Sequence, residues 1–231
     1  MRTLVIGDIH GCSEALDVLL NELAPGKEDT LVTLGDYVDR GPDSKGVLQR
    51  LIALDMQTRL VPLIGNHEIL MLDAKEQKID FESWLAIGGR ATMESYAGAP
   101  VPEWSAVPKA HWDFMMTRCQ RYFESDRHIF AHAGVNFALP LAEQSDDWLF
   151  WRRFHDVQAH FSGKTLLCGH TAQKDGRPSI KPGCICIDTW VYGDGWLTGM
   201  DVSTDLFIQA NQRGQLRRLN LHEVIAQAAS D

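Results

Sequence analysis

In this chain one apolar run after another ends in a potential metal ligand, most often with a glycine just before it. Leu4-Val5-Ile6 runs into Gly7-Asp8-Ile9-His10, and Leu31-Val32-Thr33-Leu34 runs into Gly35-Asp36. Leu60-Val61-Pro62-Leu63-Ile64 runs into Gly65-Asn66-His67-Glu68. Later, Ile129-Phe130-Ala131 leads to His132, and Leu166-Leu167-Cys168 leads to Gly169-His170. Short apolar runs of this kind read as buried strands. Glycine weakens a strand, so its recurrence here calls for a reason other than sheet stability. In an open parallel sheet the carboxyl ends of the strands share one edge, where ligands bind. Residues far apart in sequence converge there, and glycine lets the backbone turn sharply beside them.

The first third alternates strand and helix. Ser13 is placed to cap a helix with Leu16, Leu19, Leu20 and Leu23 at helical spacing, stopped by Pro25-Gly26. Asp43 or Ser44 starts a second helix through Val47, Leu48, Leu51 and Ile52. This alternation predicts a parallel sheet with right-handed crossovers. Residues of about 75–125, with Trp84, Trp104 and Trp112 and three prolines between 100 and 108, read as a helical insertion beside the sheet. Strands are expected near 129–131, 166–168, 185–187, 197–202 and 206–209. The later ones lack intervening helical patterns and read as antiparallel. A last helix is expected over about Leu221 to Ala229. The whole, residues 1–231, is expected to form one domain, long enough for one sizeable core.

The bulk numbers exclude some classes. Hydrophobic residues at 45% and charged residues at 23% are ordinary for a soluble globular chain. A net charge of −9 argues against a nucleic-acid backbone as the main partner. No apolar run reaches the roughly 18 residues that span a bilayer. The opening run, Leu4 to Ile6, is too short for a signal peptide, so a cytoplasmic location without membrane partners is expected. Cysteines fall at 12, 119, 168, 184 and 186, without a C-x-x-C pair, and read as reduced, mostly buried thiols.

Singly, each ligand-type residue has a plain structural reading: a turn aspartate, a satisfied histidine, a helix cap. The joint pattern does not. Asp8 and His10 are two apart, so on an extended segment both point the same way. Asp36 has two oxygens with which to bridge two ions, Asn66 offers a neutral carbonyl, and His132 and His170 offer imidazoles. Mixed Asp, His and Asn ligands suit first-row ions better than calcium. Two such ions, roughly 3.5–4 Å apart, can share a water and lower its pKa.

Three blocks, Gly7-Asp8-Ile9-His10-Gly11, Gly35-Asp36-Tyr37-Val38-Asp39-Arg40-Gly41 and Gly65-Asn66-His67-Glu68, resemble in order and spacing the signature of the metal-dependent phosphoprotein phosphatases, within the calcineurin-like metallophosphoesterase superfamily. His132-Ala133-Gly134 and Gly169-His170-Thr171 resemble the fourth and fifth blocks, with Ala133 where glycine is usual. The likeness spans roughly residues 3–202. It is nearest to the small bacterial branch that includes the lambda phage phosphatase, with the symmetrical diadenosine tetraphosphate hydrolases as near relatives. The resemblance implies an α/β metallophosphoesterase fold: a two-sheet β-sandwich core flanked by helices, with a helical insertion. It implies that Asp8 and His10 hold a first metal, that Asp36 bridges, and that Asn66, His132 and His170 complete a second. Two divalent ions are implied, manganese first, with iron or zinc also fitting the ligands.

The resemblance also implies that His67 protonates the leaving oxygen, oriented by Asp39, while a metal-bridging hydroxide attacks directly. Arg40 would bind the phosphate, together with Asn66 and a second arginine. Trp151-Arg152-Arg153 resembles the Trp-x-Arg pattern that supplies that second arginine, which favours Arg153 over Arg152. Glu68 is expected to cap or to hydrogen-bond rather than to react. Trp190 stands where the family usually shows glycine, which puts a large side chain near the active-site rim. Trp84 and Tyr96, in the insertion, are expected to pack in the core.

The expected activity is hydrolysis of phosphomonoesters, foremost phosphoserine, phosphothreonine or phosphotyrosine in protein, with no protein nucleophile. The partner is then a phosphorylated protein or a small phosphoester. Symmetrical hydrolysis of dinucleoside polyphosphates is the enzymatic alternative, and a catalytically silent binding scaffold is the alternative of another class.

Overall fold

A computed structural model of the chain describes residues 1–98 and 103–228. Strands β1 (Thr3–Ile6), β2 (Thr30–Thr33) and β3 (Arg59–Pro62) pair in parallel, with Val5 opposite Val32 and Val32 opposite Val61. Helices α1 (Ser13–Leu23) and α2 (Ser44–Leu54) connect them. The Asp43 carboxylate caps α2 by accepting from the Gly46 N–H at 2.8 Å. Ser13 does not cap α1. It is the first helical residue, and Cys12 at the cap position makes no side-chain bond to the helix.

A helix α3 (Asn66–Lys75) begins directly after β3, and short helices α4 (Phe81–Trp84), α5 (Arg90–Ala97) and α6 (Lys109–Asp113) follow. These fill the expected insertion, while Pro100 and Pro102 lie outside the described residues. Its last residues instead form a strand, β4 (Tyr122–Glu124), which joins a second sheet. Trp84 is fully buried, its ring 5.4 Å from that of Trp104 and 5.8 Å from that of Phe81.

The second sheet contains β4, β5 (His128–Ala131), β6 (Thr165–Cys168), β7 (Ser179–Lys181) and β8 (Cys184–Cys186), in the order β4-β5-β6-β8-β7. Here the expectation of an antiparallel set needs correction, because β5, β6 and β8 are parallel. The β5–β6 crossover runs through loops and single helical turns, and the β6–β8 connection through loops and the strand β7, so the sequence carries no long helical periodicity to announce them. The expectation does hold for β10 (Trp196–Asp201) and β11 (Leu206–Ala210), and the structure adds β12 (Leu216–Asn220), also antiparallel, where no strand was expected. With the two-residue β9 (Asp188–Thr189), they extend the first sheet from the β1 edge. The final helix, α7, is Leu221–Ala228, and Ala229 lies outside the described residues.

Strand alternation sorts the core into layers. Val5, Val32 and Val61 point from the first sheet toward Phe130, Leu167 and Ile185 of the second. Leu4, Ile6, Leu31 and Leu60 point the other way, onto Leu16 and Leu19 of α1 and Leu48 and Leu51 of α2. Ile129, Ala131, Leu166 and Cys168 cover the outer face of the second sheet with Leu149, Phe150 and Phe154. The result is a two-sheet sandwich flanked by helices, as the sequence implied. All five cysteines are free, four of them buried.

Candidate metal centre and active site

The carboxyl ends of β1, β2, β3, β5 and β6 open into one concentration of polar side chains. Asp8, His10, Asp36, Asn66, His67 and His132 are all buried there, and His170 is nearly so. The backbone is strained to bring them together. Among the described residues, nine other than glycine have positive φ, and six of these are His10, Asp36, Asp39, Arg40, His170 and Trp190, in or beside this group. Such strain persists only where the surroundings impose it. The glycines before the ligands allow close approach. A Cβ on Gly169 would lie 1.8 Å from Asp8 Oδ1, and one on Gly65 would lie 2.2 Å from Asp36 Oδ1.

Asp36 sits at the middle. Its Oδ2 lies 3.4 Å from His10 Nε2, and its Oδ1 lies 3.5 Å from His132 Nε2. Asn66 Oδ1 is 2.8 Å from His132 Nε2 and 2.9 Å from His170 Nδ1. Asp36, His132 and His170 offer ligand atoms within 4.8 Å of one another, and so do His10, Asp36 and His67. Asp8 falls in neither compact group. Its Oδ2 accepts the His170 N–H at 2.9 Å, while its Oδ1 is buried without a partner.

The protonation states suit a cation. Burial pulls His10 well below the ordinary imidazole range, lowers His132, and, with help from His132, takes His170 down to about 3. Neutral imidazoles are the ligating form. His10 and His132 are oriented by donating Nδ1–H to the Val38 and Leu34 carbonyls at 3.0 and 2.8 Å. Asp8 is pushed well above the carboxylate range by burial and by the charges of Asp188 and Asp36. Crowded carboxylates, an orphaned carboxylate oxygen, neutral imidazoles and an amide carbonyl make a donor set that fits divalent metal ions.

His67 differs from the other three histidines. Burial lowers its pKa, but the Asp36 charge and the hydrogen bond to Asp39 outweigh this and raise it. Its Nδ1 lies 2.7 Å from Asp39 Oδ2. Asp39 is itself fixed by the Trp84 indole N–H at 3.1 Å and the Thr92 hydroxyl at 2.8 Å. Trp84 therefore packs in the core, as expected, and also reaches the site. The pairing of Trp84 and Thr92 with Asp39 leaves no local signal in the sequence, because 45 and 53 residues separate them. Glu68 accepts backbone N–H groups from Asp36, Tyr37, Val38 and Gly65 and so stitches the β2 loop to the start of α3.

Arg40 Nη1 donates to His10 Nε2 at 2.9 Å, and its guanidinium lies 4.7 Å from the centre of the Tyr192 ring. Tyr192 also meets His10 edge-on at 4.9 Å, a neighbour the sequence did not single out. Arg153 is exposed, and its charge contributes to lowering His170. Arg152 is committed elsewhere: it pairs with Asp147 and lies over the Trp148 ring at 4.7 Å. Trp190 is half-buried, 6.3 Å ring to ring from Tyr192. Cys12 is no nucleophile here, since burial pushes its thiol up to about 12.

Comparison with known proteins places these residues in context. The family model described as calcineurin-like phosphoesterase matches residues 1–194. Serine/threonine-protein phosphatase 1 of Salmonella typhimurium is 36% identical over 134 residues, which is 56% of this chain and 57% of that protein. A symmetrical bis(5'-nucleosyl)-tetraphosphatase of Escherichia coli is 47% identical over 74 residues, 31% of this chain and 25% of that protein. The matches thus span little more than half the length of one curated relative and a quarter of the other. Among solved structures, a cold-active protein-tyrosine phosphatase from a psychrophilic Shewanella superposes with a TM-score of 0.65 at 16% identity, over 95% of this chain and 80% of that one, a likeness of fold. Among the described residues, no helix is long and apolar enough to cross a membrane.

Proposed function

This chain belongs to the calcineurin-like phosphoesterase family, and we propose that it is a two-metal hydrolase of phosphomonoesters acting on phosphoserine, phosphothreonine or phosphotyrosine in protein. The observation that carries this reading is the division of Asp36: one oxygen faces His10 and the other faces His132, as a carboxylate shared by two ions requires. Asp8, His10 and Asp36 would hold one ion, and Asp36, Asn66, His132 and His170 the other. When bound, the ions supply Lewis acidity, which neutralises phosphate charge and lowers the pKa of water. Manganese, iron and zinc all accept these ligands.

The side chains do the remaining work. His67 carries its proton toward the leaving oxygen on Nε2, because Nδ1 is taken by Asp39. Asp39 keeps the ring oriented and favours its charged form. Arg40 and Arg153 neutralise and orient the phosphate oxygens, for which a planar guanidinium fork is suited. Tyr192 supports the Arg40 guanidinium from one face. With water as the attacking group, no covalent nucleophile is needed among the side chains.

A second reading, symmetrical hydrolysis of dinucleoside tetraphosphates, draws support from the Escherichia coli relative, whose identity to this chain is the higher over its shorter match. Both use the same residues, and the substrate separates them. The test is turnover of a phosphopeptide panel and of diadenosine tetraphosphate by protein stripped of metal and reloaded with manganese. Phosphopeptide turnover supports the first reading. Turnover of the dinucleotide alone overturns it in favour of the second.

A further inference from the structure

Asp188 is buried within electrostatic reach of Asp8 and Asp36, and only one of its two carboxylate oxygens is used. Oδ1 accepts the Trp190 N–H at 3.1 Å and fixes the turn after β9. Oδ2 is buried and has no hydrogen-bond partner. Among the described residues, the other buried side-chain atoms in this position are Asp8 Oδ1 and Arg152 Nε. Two of the three orphaned atoms are thus carboxylate oxygens on neighbouring segments. Their proximity is fixed by the backbone: the Ile187 carbonyl passes so close to Gly7 that a Cβ there would lie 2.6 Å from it. Asp188 follows Ile187 as Asp8 follows Gly7.

Buried ionised carboxylates that lack a counter-charge are strongly unfavourable, and natural chains retain them where they face a cation. Among the described residues, no side-chain cation hydrogen-bonds to Asp188 Oδ2, and Arg40 and His67 act on Asp188 only through space. Arg40 spends Nη1 on His10. We propose that Asp188 is an additional acidic residue of the metal centre, its free oxygen directed at the ion held by Asp8 and His10. This rests on the two-metal reading above and adds a residue to it. The site then has three carboxylates, Asp8, Asp36 and Asp188, around that ion, while the second ion is served mainly by neutral donors. The two positions consequently differ in charge, and the ion beside Asp8 is the more dependent on acidic residues.

The test is Asp188→Asn, because the asparagine carbonyl still accepts the Trp190 N–H and only the charge is removed. Manganese binding to metal-stripped wild-type and variant protein is measured by equilibrium dialysis with elemental analysis. It is read alongside the paramagnetic resonance signal of coupled manganese pairs and the melting temperature in chelator. We expect two ions per wild-type chain. In the variant, one of the two sites weakens by about tenfold or more, the coupled-pair signal falls at limiting manganese, and the melting temperature in chelator equals or exceeds that of the wild type. Wild-type manganese affinity at both sites of the variant overturns the proposal. A lower melting temperature of the variant in chelator also overturns it, since that marks a structural role. A wild type that fails to take up two ions contradicts the two-metal reading itself and is told apart by that control.

Discussion

His67 Nδ1 lies 2.7 Å from Asp39 Oδ2, and the same Asp39 oxygen takes the Trp84 indole N–H at 3.1 Å. Burial alone would lower the pKa of this histidine, but the Asp36 charge and the hydrogen bond to Asp39, a carboxylate that is itself locked in place, raise it. The lock comes from the helical insertion, through Trp84 at the end of α4 and Thr92 in α5. The insertion therefore orders the His67–Asp39 pair, as well as covering the sheet.

Replacing His67 with Asn removes the proposed proton donor and leaves the proposed metal ligands in place. General-acid contributions run at about 10²–10⁴-fold, so kcat on an alkyl phosphomonoester is expected to fall by that order. On an aryl ester with an acidic phenol as leaving group the loss should be much smaller, since that oxygen departs without help. Steady-state kinetics on the two esters, with metal content measured in parallel, check this. Equal losses on both esters would assign His67 some other task.

Gly169→Ala tests the fit of the cage around Asp8. The added methyl would sit 1.8 Å from Asp8 Oδ1, so the buried Asp8 carboxylate must give way. Overpacking of this kind costs roughly 1–3 kcal/mol, so the denaturant midpoint is expected to drop. Metal affinity should fall with it, because the carboxylate is displaced. A variant that binds metal as the wild type does would show that Asp8 is not held against the Gly169 backbone.

Away from the site, Arg2 ties the start of β1 to Asp29 at the start of β2. Its side chain and backbone N–H both donate to the carboxylate, with the shortest contacts at 2.7 Å. The Arg2 hydrogen bonds hold the Asp29 carboxyl below the usual carboxylate range. A depressed folded-state pKa means that the stabilisation is present above the unfolded value, near 4, and is lost as pH falls below it. Arg2 is 40% exposed, so about 1 kcal/mol is expected. Asp29→Asn should be less stable than the wild type at pH 7 in urea melts, with the gap closing below about pH 4. A gap that persists undiminished at acid pH would mean that the carboxylate charge is not what stabilises this link.

Much of the site was legible because it follows chain order. Each ligand-type residue sits one to four positions past an apolar run, and the register of a parallel sheet brings such positions to one edge. The residues that support them were legible only in part. Glu68 was expected to make hydrogen bonds, and its two oxygens accept four backbone N–H groups. The links from Trp84 and Thr92 to Asp39, and from Tyr192 to Arg40, depend on how distant segments pack and carry no local pattern. In the fold, the parallel β5-β6-β8 pairing escaped sequence reading, because parallel crossovers are recognised by their helices and these connections have loops, single turns and the short strand β7 instead. The three-residue strands β4 and β7 were missed because three residues show no alternation to detect.

The central claim is that two divalent ions share Asp36. Its most direct test is a manganese titration of metal-stripped protein, read as ions bound per chain and as phosphatase rate on the same samples. Two ions per chain are predicted, with turnover rising only as the second site fills. Asp36→Asn should bind fewer than two ions and be nearly inactive. Full activity with one ion or none, or two tightly held ions in Asp36→Asn, would contradict it.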